Sequence, residues 1–213
     1  MVGMSIEDVA RLWEEEWIKS ADIHEHSSII GKFLRVQRMG IIRKMLKSIS
    51  KELSAIDVGC GSGETLLLLR DIGFKNSIGI DISSHAMRKS ELHGLTENVD
   101  VFRKDGSNTG YPDRKFDFMF SEGLWEHFKD PLPFIKEGCR ISDKWLMIVQ
   151  PNHFSFFGGL LNWGWEHFSQ QGVHEYSFPM SYFIDNVTRN GFTIIDRRGT
   201  YLNEQNVLFF RRD

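Results

Sequence analysis

The segment AIDVGCGSGETLLLL, residues 55–69, constrains this chain more than any other. An apolar run, Ala55–Val58, enters Gly59, Gly61 and Gly63, and Glu64 then opens a leucine-rich helix. Glycines between a strand and a helix permit positive φ and let a ligand lie against bare backbone at a helix N-terminus. Alone, such a turn indicates only a nucleotide-like ligand. A dinucleotide fingerprint would place its third glycine at position 64, where this chain has Glu64. Asp57 also stands inside the strand, two residues before the first glycine. A carboxylate there suits a ligand carrying a cationic amine better than a pyrophosphate.

Downstream, short apolar runs alternate with helical stretches. Strands are predicted at Ala55–Val58, Ser77–Ile80, Val99–Arg103, Phe116–Phe120 and Trp145–Gln150, with helices at Glu64–Asp71, Ser84–His93 and Leu132–Arg140. A further helix near Met180–Thr188 and two closing strands, Phe192–Arg198 and Asn206–Arg212, complete the chain. This alternation implies βαβ units, a mostly parallel sheet and right-handed crossovers that place helices on both faces. Ahead of it, residues 5–19 space Ile6, Val9, Trp13 and Trp17 as an amphipathic helix, and a second helix is expected from Ser28 to Lys47. Its basic residues, including Lys32, Arg35, Arg38 and Arg43, read as a solvated face.

With 213 residues, 41% hydrophobic and 26% charged, the chain fits one domain and excludes a disordered or fibrous protein. A net charge of -3 speaks against a dedicated nucleic-acid binder. Two cysteines, Cys60 and Cys139, give no disulfide framework, and no apolar run reaches the length of a membrane span. These features point to a soluble cytoplasmic domain.

Three carboxylates fall at successive strand tips: Asp57, Asp81 in IGIDIS, and Asp105 in VFRKDGSN. Together with FDFMFSEGLWEHFKDP around the fourth strand, they make the chain resemble the class I S-adenosylmethionine-dependent methyltransferases, chiefly over Leu53–Gln150. The resemblance implies an α/β fold: a doubly wound, Rossmann-like, seven-stranded sheet with its last strand antiparallel and an N-terminal helical lid. It implies S-adenosylmethionine as cofactor and S-adenosylhomocysteine as product. Asp57, Gly59, Cys60, Gly61 and Gly63 would hold the methionine end. Asp81 with Ile82 would hold the ribose, and Asp105, Gly106 and Ser107 the adenine. Glu122 and Gly123, after the fourth strand, would complete the cofactor site.

Glu126-His127 followed by Asp130-Pro131 is similar to the E-H-x-x-D-P stretch of small-molecule O-methyltransferases. His127 is therefore the first candidate for a general base, with His153 and His174 second. The chain has neither an N/D-P-P-Y/F sequence nor a Pro-Cys nucleophile, which disfavours two routes to base methylation. The aromatic-rich residues 152–178 are expected to form a cap over a small apolar or aromatic acceptor, methylated at oxygen. Two alternatives stand beside this reading. A metal-assisted RNA 2′-O-methyltransferase would carry an E-x-x-E-H cluster, but Gly123 falls where its first Glu belongs, and no metal ligand set is assigned. A non-catalytic cofactor-binding module would bind without transferring.

Overall fold

A computed structural model describes residues 10–15, 18, 29–160 and 175–213. Twelve described residues or more separate each strand of the parallel set from its neighbour along the chain, room enough for a crossover connection. Helix α1 (Ile29–Met45) precedes strand β1 (Ala55–Val58), and α2 (Glu64–Ile72) leads to β2 (Ser77–Asp81). Helix α3 (Ser84–Leu92), β3 (Val101–Arg103) and β4 (Phe116–Glu122) follow. A 3-10 turn (Trp125–His127), α4 (Leu132–Ile141), β5 (Ser142–Pro151), α5 (Met180–Arg189), β6 (Phe192–Gly199) and β7 (Gln205–Arg212) complete the order.

The seven strands form one sheet in the order β3-β2-β1-β4-β5-β7-β6. Strand β1 pairs in parallel with both β2 and β4, while β7 runs antiparallel to β5 and β6. The expected architecture, including the antiparallel last strand, is therefore observed. Chain direction reverses across the sheet beside β1, so the loops after β1 and β4 diverge and leave a crevice at the carboxyl ends.

Alternation along the strands feeds two cores. Met119, Leu146, Ile148, Leu208 and Phe210 pack with Phe134 and Ile135 of α4 and Phe183 and Val187 of α5. On the other face Phe118, Phe120, Met147, Val149, Val207 and Phe209 pack with Ile42 of α1 and Leu68 and Leu69 of α2. Side chains of successive strand residues point to opposite faces, so runs such as FMF and LMIV serve both layers at once.

The sequence reading misses at the edge. Strand β3 begins at Val101 rather than Val99, because Asn98 turns at φ 58° and Asp100 is committed elsewhere. Its carboxylate accepts the Thr96 N–H at 2.8 Å and pairs with Arg70 at 2.6 Å. The basic side of α1 is also not simply solvated: Arg35 pairs with Glu64, Arg43 with Asp71, and Arg38 turns inward. Among the described residues no helix is long and apolar enough to cross a membrane.

Gly63 caps α2 at φ 82°, and a Cβ there would lie 2.1 Å from Leu95 Cδ1. Gly63→Ala is expected to cost about 2–4 kcal/mol, from left-handed strain plus overpacking. Urea unfolding checks this, and an unshifted midpoint would contradict it.

Candidate functional site

The crevice begins with Asp57. Its side chain is 1% exposed, and its Oδ2 has no hydrogen-bond partner. Burial, followed by the nearby charges of Glu122 and Asp81, holds this carboxyl well above the usual carboxylate range. An unsatisfied buried carboxyl costs the protein stability unless a ligand supplies its donor. Gly59, Gly61 and Gly63 follow with φ of 78°, 53° and 82°. Gly59 also lets the loop lie against Leu124, since a Cβ there would meet Leu124 Cδ2 at 3.0 Å.

Asp81, the last residue of β2, receives the Gly61 N–H on Oδ2 and the Ser83 N–H on Oδ1, both at 2.9 Å. Burial raises its pKa against these bonds, and each oxygen keeps a lone-pair direction for a ligand hydroxyl. Ile82 is half-buried beside it, and its carbonyl accepts Arg103 Nε at 3.0 Å. Cys60 belongs to the loop, but its thiol packs over Gly79 of β2, where an added Cβ would lie 2.7 Å from Sγ. Burial, then Asp81 and Asp57, pushes that thiol well up, so it is no nucleophile.

Asp105 lies past β3 in a closed turn, taking the Ser107 N–H at 2.8 Å and the Ser107 hydroxyl at 2.8 Å. Gly106 is the close-approach position here, because a Cβ would meet Val58 Cγ1 at 3.0 Å. Glu122 ends β4. It accepts the Thr65 hydroxyl at 3.1 Å and pairs with Arg38 Nε at 2.5 Å, tying β4 to α1 and α2. Gly123 then turns at φ 65°.

The three histidines fare differently. His127 closes the 3-10 turn with its ring 4.9 Å from Trp13 in an edge contact. His153 has both ring nitrogens engaged, Nδ1 with Ser177 Oγ at 2.9 Å and Nε2 with Glu175 at 3.2 Å. That makes it a clasp between the end of β5 and the returning chain. His174, like residues 161–174 of the expected aromatic cap, lies outside the described residues. Among the described residues no group of three or more His, Cys, Asp or Glu side chains is placed to hold a metal ion.

Sequence reasoning missed the N-terminal contact. Glu14 accepts from Ser83 Oγ at 2.8 Å, Ser84 Oγ at 2.6 Å, the His85 N–H at 3.1 Å and Arg88 at 3.1 Å. It thereby adds an acid from a distant segment to the N-terminus of α3, where the helix dipole favours negative charge. With Trp13 on His127, residues 10–15 bridge the tips of β2 and β4 across the crevice. Nothing in a row of three glutamates marks Glu14 as the one that docks.

Comparison with known proteins agrees with this geometry. Residues 31–196 match the family described as "Methyltransferase domain", and the chain belongs to that family. It is 30% identical over 115 residues to a ribosomal protein L11 methyltransferase from Haemophilus influenzae, covering 52% of this chain and 34% of that one. The chain thus spans about a third of the length of the curated relatives it matches. A possible histamine N-methyltransferase from Thermotoga maritima superposes with a TM-score of 0.72 at 16% identity, covering 93% of this chain and 99% of that one. Magnesium protoporphyrin IX methyltransferase from Synechocystis PCC 6803, solved with S-adenosylhomocysteine, gives 0.68 at 19% identity, covering 88% and 89%.

Burial pushes the Glu14 carboxyl up, but the donors from Ser84, His85, Ser83 and Arg88 outweigh it and hold the pKa at about 2, against an ordinary 4.5. The bound carboxylate therefore stabilises the fold above pH 4.5, and that contribution is lost as pH falls through about 2. Glu14→Gln is expected to destabilise by about 1 kcal/mol at neutral pH. Urea unfolding of both proteins should show the gap closing between these two pH values. A gap independent of pH would contradict the capping role.

Proposed function

We propose that this protein binds S-adenosylmethionine in the β1–β4 crevice and transfers its methyl group to a small aromatic or apolar acceptor in the cytoplasm. The observation that carries this reading is Asp57: a buried carboxylate oxygen without a partner, at the head of a loop of left-handed glycines. The residues fit the cofactor. Asp57 would take the ammonium of the methionine end, Asp81 the ribose hydroxyls, and the Asp105–Ser107 turn the adenine, with Gly59 and Gly106 leaving room for close approach.

Bound S-adenosylmethionine supplies an activated methyl on a sulfonium, so the protein's work is to place the acceptor in line with it. Asp57 and Asp81 fix two ends of the ligand, which orients the centre between them. Glu122, held by Thr65 and Arg38, keeps the β4 tip and the α2 N-terminus in register. The acceptor atom is proposed to be oxygen, with His127 beside it to remove its proton. Trp13 against the His127 ring would exclude water from that position. His153, clasped by Ser177 and Glu175, would support the pocket wall. The names of relatives and fold neighbours span protein, tRNA, amine and porphyrin acceptors, so the acceptor class rests on this site's own residues.

Calorimetric titration with S-adenosylmethionine tests the cofactor assignment. Asp81→Ala is expected to lose about 1.5–3 kcal/mol of binding, the worth of charge-assisted bonds. An unchanged dissociation constant in the folded variant would sink the ribose assignment. For the base, His127→Gln should lower transfer of labelled methyl to an extract-derived acceptor by on the order of 10²-fold, with cofactor affinity retained. Label that appears instead in RNA or protein would overturn the small-molecule reading.

A further inference from the structure

One strand beyond the cofactor residues, a second buried acid lacks a counter-charge. Three carboxylates converge around the tips of β4 and β5. Glu122 has Arg38 at 2.5 Å, and Glu175 has the His153 ring at 3.2 Å. Glu126, 4% exposed, forms no ion pair among the described residues, and its Oε2 makes no hydrogen bond. Gln150 is beside it, 0% exposed at the end of β5: its amide is turned to the Glu126 carboxyl, and its amide oxygen makes no hydrogen bond. Buried side-chain amides are rarely left with an end unmet, so an unmet oxygen here points to a missing donor.

We propose that Glu126 and Gln150 form a recognition pocket for a cationic nitrogen, an ammonium or guanidinium group, on the methyl acceptor. The proposal rests on the cofactor reading above and deepens it. The argument is the pattern of charges. Glu122 already has Arg38 and Glu175 the His153 ring, whereas Glu126 has no cation among the described residues, which leaves its carboxyl open to a positively charged ligand group. The cofactor's ammonium is accounted for at Asp57, the other buried acid with an unmet oxygen. Gln150 Oε1 adds an acceptor for a ligand N–H, as a bound ammonium requires. A neutral donor would meet Oε2, whereas a cation would also offset the charge of the carboxylate.

The electrostatics give the pocket a signature. Burial, then the charges of Glu175 and Glu122, holds the Glu126 carboxyl well above its ordinary range, which favours its protonated form in the free protein. A cation placed against it favours the carboxylate, and the proton leaves. Binding therefore releases a proton and tightens as pH rises toward the free-state pKa of Glu126. The groups that act on it are Glu175 from the returning chain, Glu122 from β4 and Gln150 from β5; Arg38 of α1 is held on Glu122, and the His153 ring on Glu175. The Tyr176 N–H donates to the Glu126 carbonyl at 2.7 Å, so the returning chain borders the proposed pocket.

The test titrates the protein, saturated with S-adenosylhomocysteine, with tyramine and benzylamine, and with 4-ethylphenol and benzyl alcohol as neutral counterparts. At least one amine should bind tenfold or more tightly than its counterpart. Repeating the titration in buffers of different ionisation enthalpy should show release of about one proton. Glu126→Gln should lose tenfold or more in amine affinity together with the proton release, while keeping affinity for 4-ethylphenol and S-adenosylhomocysteine. Gln150→Leu, an apolar replacement of similar size, should weaken the amine several-fold without lowering the unfolding midpoint, which guards against a variant that merely misfolds. The proposal is overturned if no amine outbinds its counterpart, or if Glu126→Gln binds amines as the wild type does. It also falls if Glu126→Gln weakens S-adenosylmethionine but not S-adenosylhomocysteine, which would assign the carboxylate to the sulfonium, or if magnesium alone displaces the amine. Failure of the wild type to bind S-adenosylhomocysteine would be a different result, since it removes the cofactor reading itself.

Discussion

Strand β1 is where the order of the molecule turns, and the site depends on that turn. With β2 on one side and β4 on the other, both parallel to it, the connection after β1 leads to β2 and the connection after β4 leads away to β5. Loops that diverge cannot cover the strand tip, so Asp57, near the end of a fully buried strand, faces a crevice rather than a packed layer. Every other group of the site is positioned by its neighbour in the sheet. Asp81 comes from the strand beside β1 on one side, Glu122 from the strand on the other, and Gln150 from the strand beyond.

Charge organises the crevice as much as shape does. Among the described acids near the strand tips, Glu14, Glu122 and Glu175 are met by donors from other segments. Asp81 is met by backbone N–H groups. Asp57 and Glu126 are the buried acids whose oxygens remain unmet. Low local dielectric makes such groups costly when empty and strong when filled, so the pair reads as one design applied twice. The proposals made for them assign one acid to the cofactor's amine and the other to a cation on the acceptor.

The N-terminal residues add a physical link across that crevice. Glu14 caps α3 from outside while Trp13 rests on His127, so one short segment touches both the ribose side and the acceptor side. Its docking energy is modest, a handful of hydrogen bonds and one ring contact.

Much of this was legible in the residues alone. The alternation of strand and helix, the glycine loop and the acids Asp57, Asp81 and Asp105 are local patterns, because strand parity and turn chemistry act over a few residues. The family resemblance supplied the antiparallel last strand, and the structure agrees. The start of β3 was not legible, since it depends on Arg70 reaching Asp100 from thirty residues away. Nor was the fate of Arg38, which shares its helix face with solvated neighbours and turns inward only because Glu122 and Gln205 lie there. His127 and His153 look equivalent as letters, yet Ser177 and Glu175 occupy both nitrogens of one of them. Sequence by itself determined which elements form and which carboxylates stand at strand tips, because those follow from short-range sterics and periodicity. Only the tertiary structure decided which acids are paired and which are left buried and unmet, because pairing depends on distances between segments far apart in the chain.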